Sequence, residues 1–364
     1  MSMIPSSYES PHQVLLLAGD GIGPEITEIA RRVAEAAQPQ RPIEWREGLL
    51  GGAALDACGD PFPAETRQSC SEVDAVFLGA VGGPQWDDPR AERRPEQGLL
   101  ALRAELAVFA NIRPIRVHPL AAALSPLKPE VAEGADLYFV RELTGGIYFG
   151  AKRREGDRAI DECVYTVAEV ERVTRVAAQA AGTRRGKVTS IDKANVLETS
   201  RLWRETVSRV MAEEFPQLEL EHLLVDAAAM HLLTRPRDFD VLLCSNLIGD
   251  ILTDEASVLA GSLGVLPSAS RGSGTVALYE PIHGSAPTLV GTDSANPVGA
   301  ILSMAWLLRD SLNEAAAADR MEAAIDRAWG AGYLTQDLAG PNGPSVGAQE
   351  FTAQVLEGLA VSVV

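Results

Sequence analysis

Short apolar runs alternate with amphipathic segments along most of the chain. Runs at residues 14–18, 74–78 and 241–243 have the length of buried strands. The first run is followed by a segment of helical periodicity that ends near residue 37, and a further helical segment covers residues 164–179. This alternation predicts a largely parallel α/β sheet, in which ligands bind at strand ends.

One helix-like stretch carries two carboxylates in an apolar setting. It follows the run at 241–243 after a polar break at Ser245 and Asn246, and it contains Asp250 and Asp254. The i,i+4 spacing places both carboxylates on one helical face, about 6 Å apart. Their charges repel each other, whereas a hard divalent cation would be bound by both oxygens. The pattern therefore indicates either a solvated acidic face or a metal site.

Length and charge narrow the class of protein. The chain has 364 residues, 46% of them hydrophobic, which favours two lobes with a substantial core. A net charge of −18 argues against nucleic acid or an anionic membrane as the main partner. No apolar run approaches the ~18 residues of a membrane span. The four cysteines form no paired metal motif, so we expect free thiols in a reducing cytoplasm.

A helical segment combines apolar and charged groups on one face. Glu96, Leu99, Leu100 and Arg103 follow the i, i+3, i+4, i+7 pattern that places side chains together. An amphipathic helix at the edge of a core would have the same pattern. The functional alternative is a pocket with an apolar half and an anion-binding half.

Two further arginines lie at the ends of predicted elements. Arg113 precedes a proline and is therefore expected in extended backbone, and Arg141 ends a predicted strand. Together with Arg103, they would bind a di- or tricarboxylate through forked hydrogen bonds. Each of them taken alone is equally consistent with a surface ion pair.

The glycine-rich segment after the first strand does not fit a dinucleotide fingerprint. Glycines occur at 19, 21 and 23, but Pro24 occupies the last position of the G-x-G-x-x-G pattern. No strand with a ribose-binding acid follows at the usual distance. Pro24 instead suits the first turn of a helix, so a Rossmann site is not expected here.

Two charged residues follow other predicted strands. Lys193 comes after a strand at 187–191, and Asp226 comes after one at 218–225. A partly desolvated lysine beside carboxylates is a candidate general base, whereas an exposed lysine is the simpler interpretation. Small residues around His283 would let main-chain groups approach an adenine or a ribose, although ordinary turn chemistry explains them equally well.

Motifs in a fixed order connect these features to a known family. They are GDGIGPE, GAVGGPQWD, EQGLLALR, FANIRP, RELTGGIYFG, DKANVL, VDAAAMHL, NLIGDILTDEAS, GSLGVLPSAS, EPIHGSAP and SANP, and they span nearly the whole chain. The sequence resembles the β-decarboxylating dehydrogenases, and closely the 3-isopropylmalate dehydrogenases. The resemblance implies a two-lobed α/β isocitrate/isopropylmalate dehydrogenase-like fold, not a Rossmann fold. A cofactor-binding lobe of residues 1–108 plus 261–364 and a substrate, metal and dimerisation lobe of residues 109–260 are expected.

The resemblance also implies a homodimer whose active sites are shared between subunits. Lys193 and Asp226 would come from one chain, and the partner would supply Arg103, Arg113, Arg141, Tyr148, Asp250 and Asp254. Mg²⁺ or Mn²⁺ would be held by Asp226, Asp250 and Asp254. Lys193 would take the substrate's hydroxyl proton, and Tyr148 would reprotonate the enolate after loss of CO₂.

A nicotinamide cofactor follows from the same resemblance. Glu96 and Asn195 are expected near the nicotinamide, and the rest of the cofactor would contact His283, Gly284, Ser285, Ala286, Thr288 and Asn296. Thr288 departs from the family, since NAD-using members carry an aspartate there. The basic and aromatic pair typical of NADP-using members is also missing. NAD is therefore the preferred cofactor, and NADP is the alternative.

The expected substrate is a small dicarboxylate with an apolar substituent. Leu99, Leu100 and Val196 correspond to the side chains that surround the C3 group of the malate, and they suit an isopropyl group. Alternatives with the same chemistry are homoisocitrate, tartrate, malate and a specialised alkyl malate. An alternative of another class is a non-catalytic homologue that binds a metal, a nucleotide or a partner protein.

Overall fold

Ten strands form one continuous sheet in the computed structural model, which describes residues 10–361 except 89–90, 120–124 and 341–342. Two more strands form a separate hairpin. In chain order the strands are β1 (His12–Gly19), β2 (Ile43–Glu47), β3 (Ala75–Ala80), β4 (Val108–Arg116), β5 (Asp136–Glu142), β6 (Lys152–Glu155), β7 (Arg158–Asp161), β8 (Lys187–Asp192), β9 (Glu219–Leu224), β10 (Val241–Cys244), β11 (Pro267–Gly272) and β12 (Ala277–Pro281).

The helices cover the sheet and connect its parallel strands. They are α1 (Gly23–Ala36), α2 (Gly51–Cys58), α3 (Ala64–Ser69), α4 (Pro95–Glu105), α5 (Pro129–Ala132), α6 (Val167–Gly182), α7 (Glu198–Glu214), α8 (Val225–Thr234), α9 (Asn246–Ser257), α10 (Val298–Asp310), α11 (Ala315–Gly330), α12 (Gln336–Ala339) and α13 (Ala348–Val361). None of the described helices is both long and apolar enough to cross a bilayer.

The sheet order is β2-β1-β3-β12-β11-β4-β5-β10-β8-β9. Pairing is parallel at both flanks, as the strand-helix alternation predicts. The centre differs, because β12, β11, β4 and β5 pair antiparallel. Only residues 273–276 separate β11 from β12, and so short a connection joins antiparallel strands, since a parallel pair requires a crossover.

The largest cluster of buried apolar side chains includes β1, β3, α1 and the C-terminal helices α10, α11 and α13, and it continues into β5 and β10. β1 is buried along Val14–Leu17 in the interior, and α1 buries Ile26, Ile29 and Val33 at helical spacing. Complete burial of such aliphatic side chains stabilises the fold by roughly 1.5–3 kcal/mol each. The core therefore fixes β1 and α1, and with them the loop that joins the two elements.

The sheet is continuous across the boundary expected between the two lobes. Strands from residues 12–80 and 267–281 form one half, and strands from residues 108–142 and 187–244 form the other. The halves meet where β11 pairs with β4. The lobe bounds 1–108 plus 261–364 and 109–260 stay a prediction, because a single sheet does not divide the chain by itself.

The glycine-rich loop after β1 connects several segments of backbone. The Asp20 carboxylate accepts hydrogen bonds from the backbone N–H groups of Gly52, Ala53 and Gly82 at 2.7–2.8 Å. Gly21 has a φ of +59° and lies so close to Ser285 that a Cβ would be 2.0 Å from its carbonyl oxygen. The glycine pattern is thus explained by close backbone approach, without a bound pyrophosphate.

Replacement of Asp20 tests this connection. Asp20→Ala leaves three backbone N–H groups without their acceptor, and we expect the free energy of unfolding to fall by about 3 kcal/mol. Chemical denaturation of the purified protein measures the change. Asp157→Ala, which removes an exposed carboxylate from the hairpin turn, is the control and should stay close to wild type. A loss below about 1 kcal/mol for Asp20→Ala would contradict the assigned role.

Candidate active site

A cleft of about 450 Å³ lies beside the antiparallel centre of the sheet. Several residues singled out in the sequence line it together: Glu96, Leu99, Leu100, Arg103, Arg113, Arg141, Tyr148, Asp250, His283 and Gly284. Sequence reasoning missed other lining residues, among them Lys152, Ser268 and Glu280. The cleft brings the arginines, the two leucines and one of the paired aspartates to one place.

Strand register explains why the polar side chains meet there. Asn111 and Arg113 are two residues apart on β4 and therefore face the same side of the sheet. Asn111 lies directly opposite Arg141 on β5 and opposite Ser270 on β11. Cross-strand partners on one face are close neighbours, so three strands contribute to one polar cluster.

Arg113 is buried in this cluster, with only 8% of its surface exposed. Its Nε donates to Asn111 Oδ1 at 2.7 Å, and its Nη1 donates to Thr253 Oγ1 at 2.8 Å. The carboxylates of Asp250 and Asp254 lie 3.9 and 3.6 Å from its guanidinium nitrogens. Burial, with the nearby charge of Arg141, lowers the pKa of Arg113 to about 10, so the group remains a cation at neutral pH.

Arg141 is held in a similar way and is 3% exposed. Its Nε and Nη2 donate to Asn246 Oδ1 at 3.2 and 2.8 Å, and its Nη1 donates to Asp250 Oδ1. Burial lowers the pKa of Arg141, and the charge of Asp250 opposes that shift. Two buried guanidinium groups therefore share Asp250 as a nearby carboxylate.

Helix α9 carries both Asp250 and Asp254, as their spacing predicts. Tyr148 donates its hydroxyl hydrogen to Asp250 Oδ2 at 2.7 Å. Burial and this hydrogen bond raise the pKa of Tyr148 to about 12, so the phenol is protonated at neutral pH. Burial also raises the pKa of Asp254, against the attraction of Arg113. The metal-binding role of both aspartates stays a prediction.

Arg103 reaches the cleft from α4 and forms a largely buried ion pair. Its Nη2 lies 3.0 Å from Glu280 Oε1 on β12, and the two side chains are 10% and 12% exposed. The pair connects the helix that carries Leu99 and Leu100 to the sheet. Breaking such a pair is costly, because it leaves the remaining charge buried without a partner.

Lys193 and Asp226 form a separate pair outside this cleft. Lys193 Nζ donates to Asp226 Oδ1 at 2.7 Å, and this bond lowers the pKa of Asp226. Val196 and Asn195 are exposed nearby in the chain. Within the described residues, no three His, Cys, Asp or Glu side chains form a group that would hold a metal. One chain thus does not assemble the expected aspartate triad.

The segment expected to contact the cofactor has unusual backbone and one unsatisfied ring nitrogen. Ala286 has a φ of +37°, which is rare for a residue with a Cβ, and the neighbouring Ser285 carbonyl accepts from Ile22 N at 2.9 Å. His283 Nε2 is inaccessible and has no hydrogen-bond partner in the described part of the chain. Burial lowers the pKa of His283. Thr288 is exposed at the end of the same segment.

Asn296 is buried beside this segment and has both ends of its amide occupied. Its Nδ2 donates to Asp337 Oδ2 at 3.0 Å, and its Oδ1 accepts from Val298 N at 3.0 Å. The side-chain oxygen is therefore already engaged at the start of α10. Any contact of Asn296 with a cofactor stays a prediction.

Sequence reasoning assigned no role to three residues of the cluster, although the sequence contains a signal for them. Asn111 interrupts an apolar strand, Asn246 starts a helix after an apolar strand, and Glu280 follows another strand. Buried polar groups need hydrogen-bond partners, so a polar residue inside an apolar run indicates such a cluster. The identity of the partners depends on strand order, which sequence patterns do not give.

Comparisons with known proteins agree with this fold and site. The family model described as isocitrate/isopropylmalate dehydrogenase matches residues 13–355. A 3-isopropylmalate dehydrogenase of Synechococcus sp. is 50% identical over 98% of this chain and 96% of its own, and one of Bacillus licheniformis is 50% identical over 95% of this chain and 94% of its own.

Solved structures show the same architecture. An isocitrate dehydrogenase from Methylococcus capsulatus has a TM-score of 0.84 at 32% identity and covers 96% of this chain and 99% of its own. A β-decarboxylating dehydrogenase from Thermococcus kodakarensis has a TM-score of 0.78 at 33% identity and covers 97% of both chains. The expected fold class is confirmed, and the protein belongs to the isocitrate/isopropylmalate dehydrogenase family.

Proposed function

We propose that this protein oxidises and decarboxylates 3-isopropylmalate to 4-methyl-2-oxopentanoate, with NAD as the hydride acceptor, as a step of leucine biosynthesis in the cytoplasm. The observation that carries this proposal is a single cleft that combines buried arginines with two leucines. It is supported by relatives that are named 3-isopropylmalate dehydrogenase and are 50% identical to this chain over nearly the full length.

The lining of the cleft supports a substrate with two carboxylates and one apolar group. Arg103, Arg113 and Arg141 offer guanidinium donors, which bind carboxylates through paired hydrogen bonds. Leu99 and Leu100 offer an apolar surface, and burying an isopropyl group there is worth roughly 1.5–3 kcal/mol. The additional carboxylate of isocitrate would remain unpaired against leucine, which disfavours that substrate.

The carboxylates of the site fit a hard divalent cation. Asp250 and Asp254, with Asp226 of the partner subunit, would hold Mg²⁺ or Mn²⁺, because these ions prefer oxygen ligands. Two like charges on one helical face lose their repulsion when a cation lies between them. When bound, such an ion supplies Lewis acidity towards the substrate's hydroxyl and carbonyl oxygens.

Two side chains of the protein would move protons. Lys193 of the partner subunit would take the proton of the substrate's hydroxyl group while hydride leaves C2 for the nicotinamide. After CO₂ has left, the substrate carbon requires a proton. Tyr148 is suited to donate it, because its phenol is protonated at neutral pH and lies in the cleft.

We also propose a homodimer in which each active site uses both chains. Lys193 and Asp226 lie outside the cleft of their own chain, so a second copy is needed to supply them. Helices α8 and α9, which carry Asp226 and Asp250, expose Met230, Leu247 and Ile251 at 55%, 39% and 60%. Exposed apolar groups beside an incomplete site favour burial against a second copy.

Thr288 bears on the choice between NAD and NADP. A carboxylate at this position would accept charge-assisted hydrogen bonds from a ribose and would repel a 2′-phosphate, whereas the exposed threonine is uncharged, accepts only a weaker hydrogen bond and exerts no such repulsion. We propose NAD as the cofactor with a weaker discrimination against NADP than an aspartate would give.

The activity itself is tested by crossing both cofactors with a set of acids. We expect reduced nicotinamide to form with 3-isopropylmalate and Mg²⁺ or Mn²⁺, and to stop when EDTA removes the metal. Isocitrate, homoisocitrate, tartrate and malate should have kcat/KM values lower by about tenfold or more. Activity on another acid alone would reject the assigned substrate. A lack of activity on every acid would reject the proposal that the protein catalyses this oxidation.

Subunit sharing is tested by mixing two inactive variants. Lys193→Ala and Tyr148→Phe should each reduce kcat by about a hundredfold or more, because each removes a proton-transfer group. If the chains are unfolded together and refolded, about half of the dimers are mixed and contain one complete site, so roughly a quarter of the wild-type activity returns.

Lys187→Ala is the matched control for this experiment. Lys187 begins the strand that Lys193 follows, and it also pairs with a carboxylate, that of Glu221 at 2.8 Å. Its loss should leave kcat within about twofold of wild type, since a partly exposed pair contributes little. Refolded mixtures that remain inactive, although dimers form, would show that each site lies within one chain.

The cofactor proposal is tested by Thr288→Asp. We expect the ratio of kcat/KM for NAD to that for NADP to rise by about tenfold, because the carboxylate adds a ribose acceptor and repels the 2′-phosphate. Thr288→Asn, which adds a neutral side chain of the same size as aspartate, is the control. An unchanged ratio in Thr288→Asp would show that residue 288 does not face the ribose.

A further inference from the structure

Two buried asparagines accept hydrogen bonds from the arginines of the cleft, each at the Nε side of one guanidinium group. Asn111 Oδ1 accepts from Arg113 Nε at 2.7 Å, and Asn246 Oδ1 accepts from Arg141 Nε and Nη2 at 3.2 and 2.8 Å. The asparagines are 0% and 1% exposed. Each cation therefore has a neutral oxygen as its partner at the Nε side.

The orientation of both amides is fixed by a second bond. Asn111 Nδ2 donates to Ser270 Oγ at 3.0 Å, and Asn246 Nδ2 donates to the Gly145 carbonyl at 3.3 Å. A guanidinium group has only donors, so the amide oxygen must face it. The backbone N–H of Asn246 also donates to the Tyr165 hydroxyl at 2.9 Å, which fixes the start of α9.

The neutral charge of these partners matters for a pocket that binds anions. A carboxylate in place of either amide would make the same hydrogen bonds to the arginine, but it would cancel the positive charge. A substrate carboxylate would then gain little from the cation. An apolar side chain would preserve the charge but would leave buried donors unpaired, which is costly.

Under the proposed function, Asp250 cannot be the group that orients the two arginines. It accepts from Arg141 Nη1 and lies 3.9 Å from Arg113, but it is also a proposed metal ligand. A carboxylate whose charge is committed to a cation cannot orient two arginines in every state of the enzyme. The two amides can orient the arginines in every state, because an amide stays neutral whatever else is bound.

We infer that Asn111 and Asn246 are positioning residues for substrate binding: they orient Arg113 and Arg141 and leave the positive charge of both to a dicarboxylate. This inference rests on the proposed function for the identity of the substrate. The inference also applies to the affinity of the cleft for any other small dianion.

Asn111→Asp is the variant that separates charge from geometry. The new carboxylate still accepts from Arg113 Nε, and the Ser270 hydroxyl can rotate to donate to it. We expect KM for 3-isopropylmalate to rise by about tenfold or more. We expect kcat and KM for NAD to change by less than about threefold, because substrate binding alone is affected.

Direct binding gives a readout that does not require turnover. Calorimetry with Mg²⁺ present should show the affinity for malonate, a dianion, falling by about tenfold or more in Asn111→Asp. The affinity for malonamate, its monoanionic half-amide, should fall less. Asn313→Asp adds the same charge at an exposed position and should bind both ligands as wild type does.

The outcomes separate this inference from the proposed function. Unchanged malonate affinity in folded Asn111→Asp overturns the inference, as does an equal loss for malonate and malonamate, or a wild-type protein that binds no malonate. If Asn111→Asp does not fold, Asn246→Asp decides by the same measurements. A wild-type protein that binds malonate but does not oxidise 3-isopropylmalate overturns the proposed function and leaves this inference standing.

Discussion

Burial of two guanidinium groups beside the centre of the sheet is the constraint on which the site depends. Arg113 and Arg141 are 8% and 3% exposed, and removing such charges from water costs several kcal/mol unless hydrogen bonds and counter-charges replace the lost hydration. Asn111, Asn246 and Asp250 supply these partners. The arginines keep these partners only if the surrounding elements are fixed in place. The hydrogen bonds and ion pairs of the arginines therefore constrain the positions of the neighbouring strands and of α9.

The antiparallel centre of the sheet meets that demand. It places β11, β4 and β5 side by side, so that Ser270, Asn111 and Arg141 become direct cross-strand neighbours on one face. Helix α9 approaches the same face closely because residue 249 is glycine: a Cβ there would lie 2.8 Å from Arg141 Cγ. The helix can then present Asp250 to the arginine. The contact between Arg141 and Asp250 therefore depends on the strand order and on the glycine that lets α9 pack closely.

Sequence reasoning identified the arginines and aspartates of the cluster and missed the asparagines that contact the arginines. The i,i+4 spacing of Asp250 and Asp254 follows from helix geometry and needs no knowledge of the fold. Their meeting with Arg113 depended on the family resemblance, because it requires strands distant in sequence to pair. The role of Asn111 depends on register between strands, which hydrophobic periodicity does not determine. The antiparallel centre was missed for the same reason, although the short link between β11 and β12 was a usable signal.

The charges of the cleft explain why a site of this design requires two ligands under the proposed function. The two arginines carry two positive charges, and Asp250 and Asp254 carry two negative ones, so these four side chains together are close to neutral. A divalent cation alone would bind the aspartates and leave the arginines without counter-charge, whereas a dicarboxylate alone would compete with the aspartates for the arginines. Both together restore neutrality, because each new charge meets an opposite one. Under the proposed function, binding of the metal and binding of the substrate would thus be coupled by electrostatics, and the neutral amides would keep the arginines oriented in both steps.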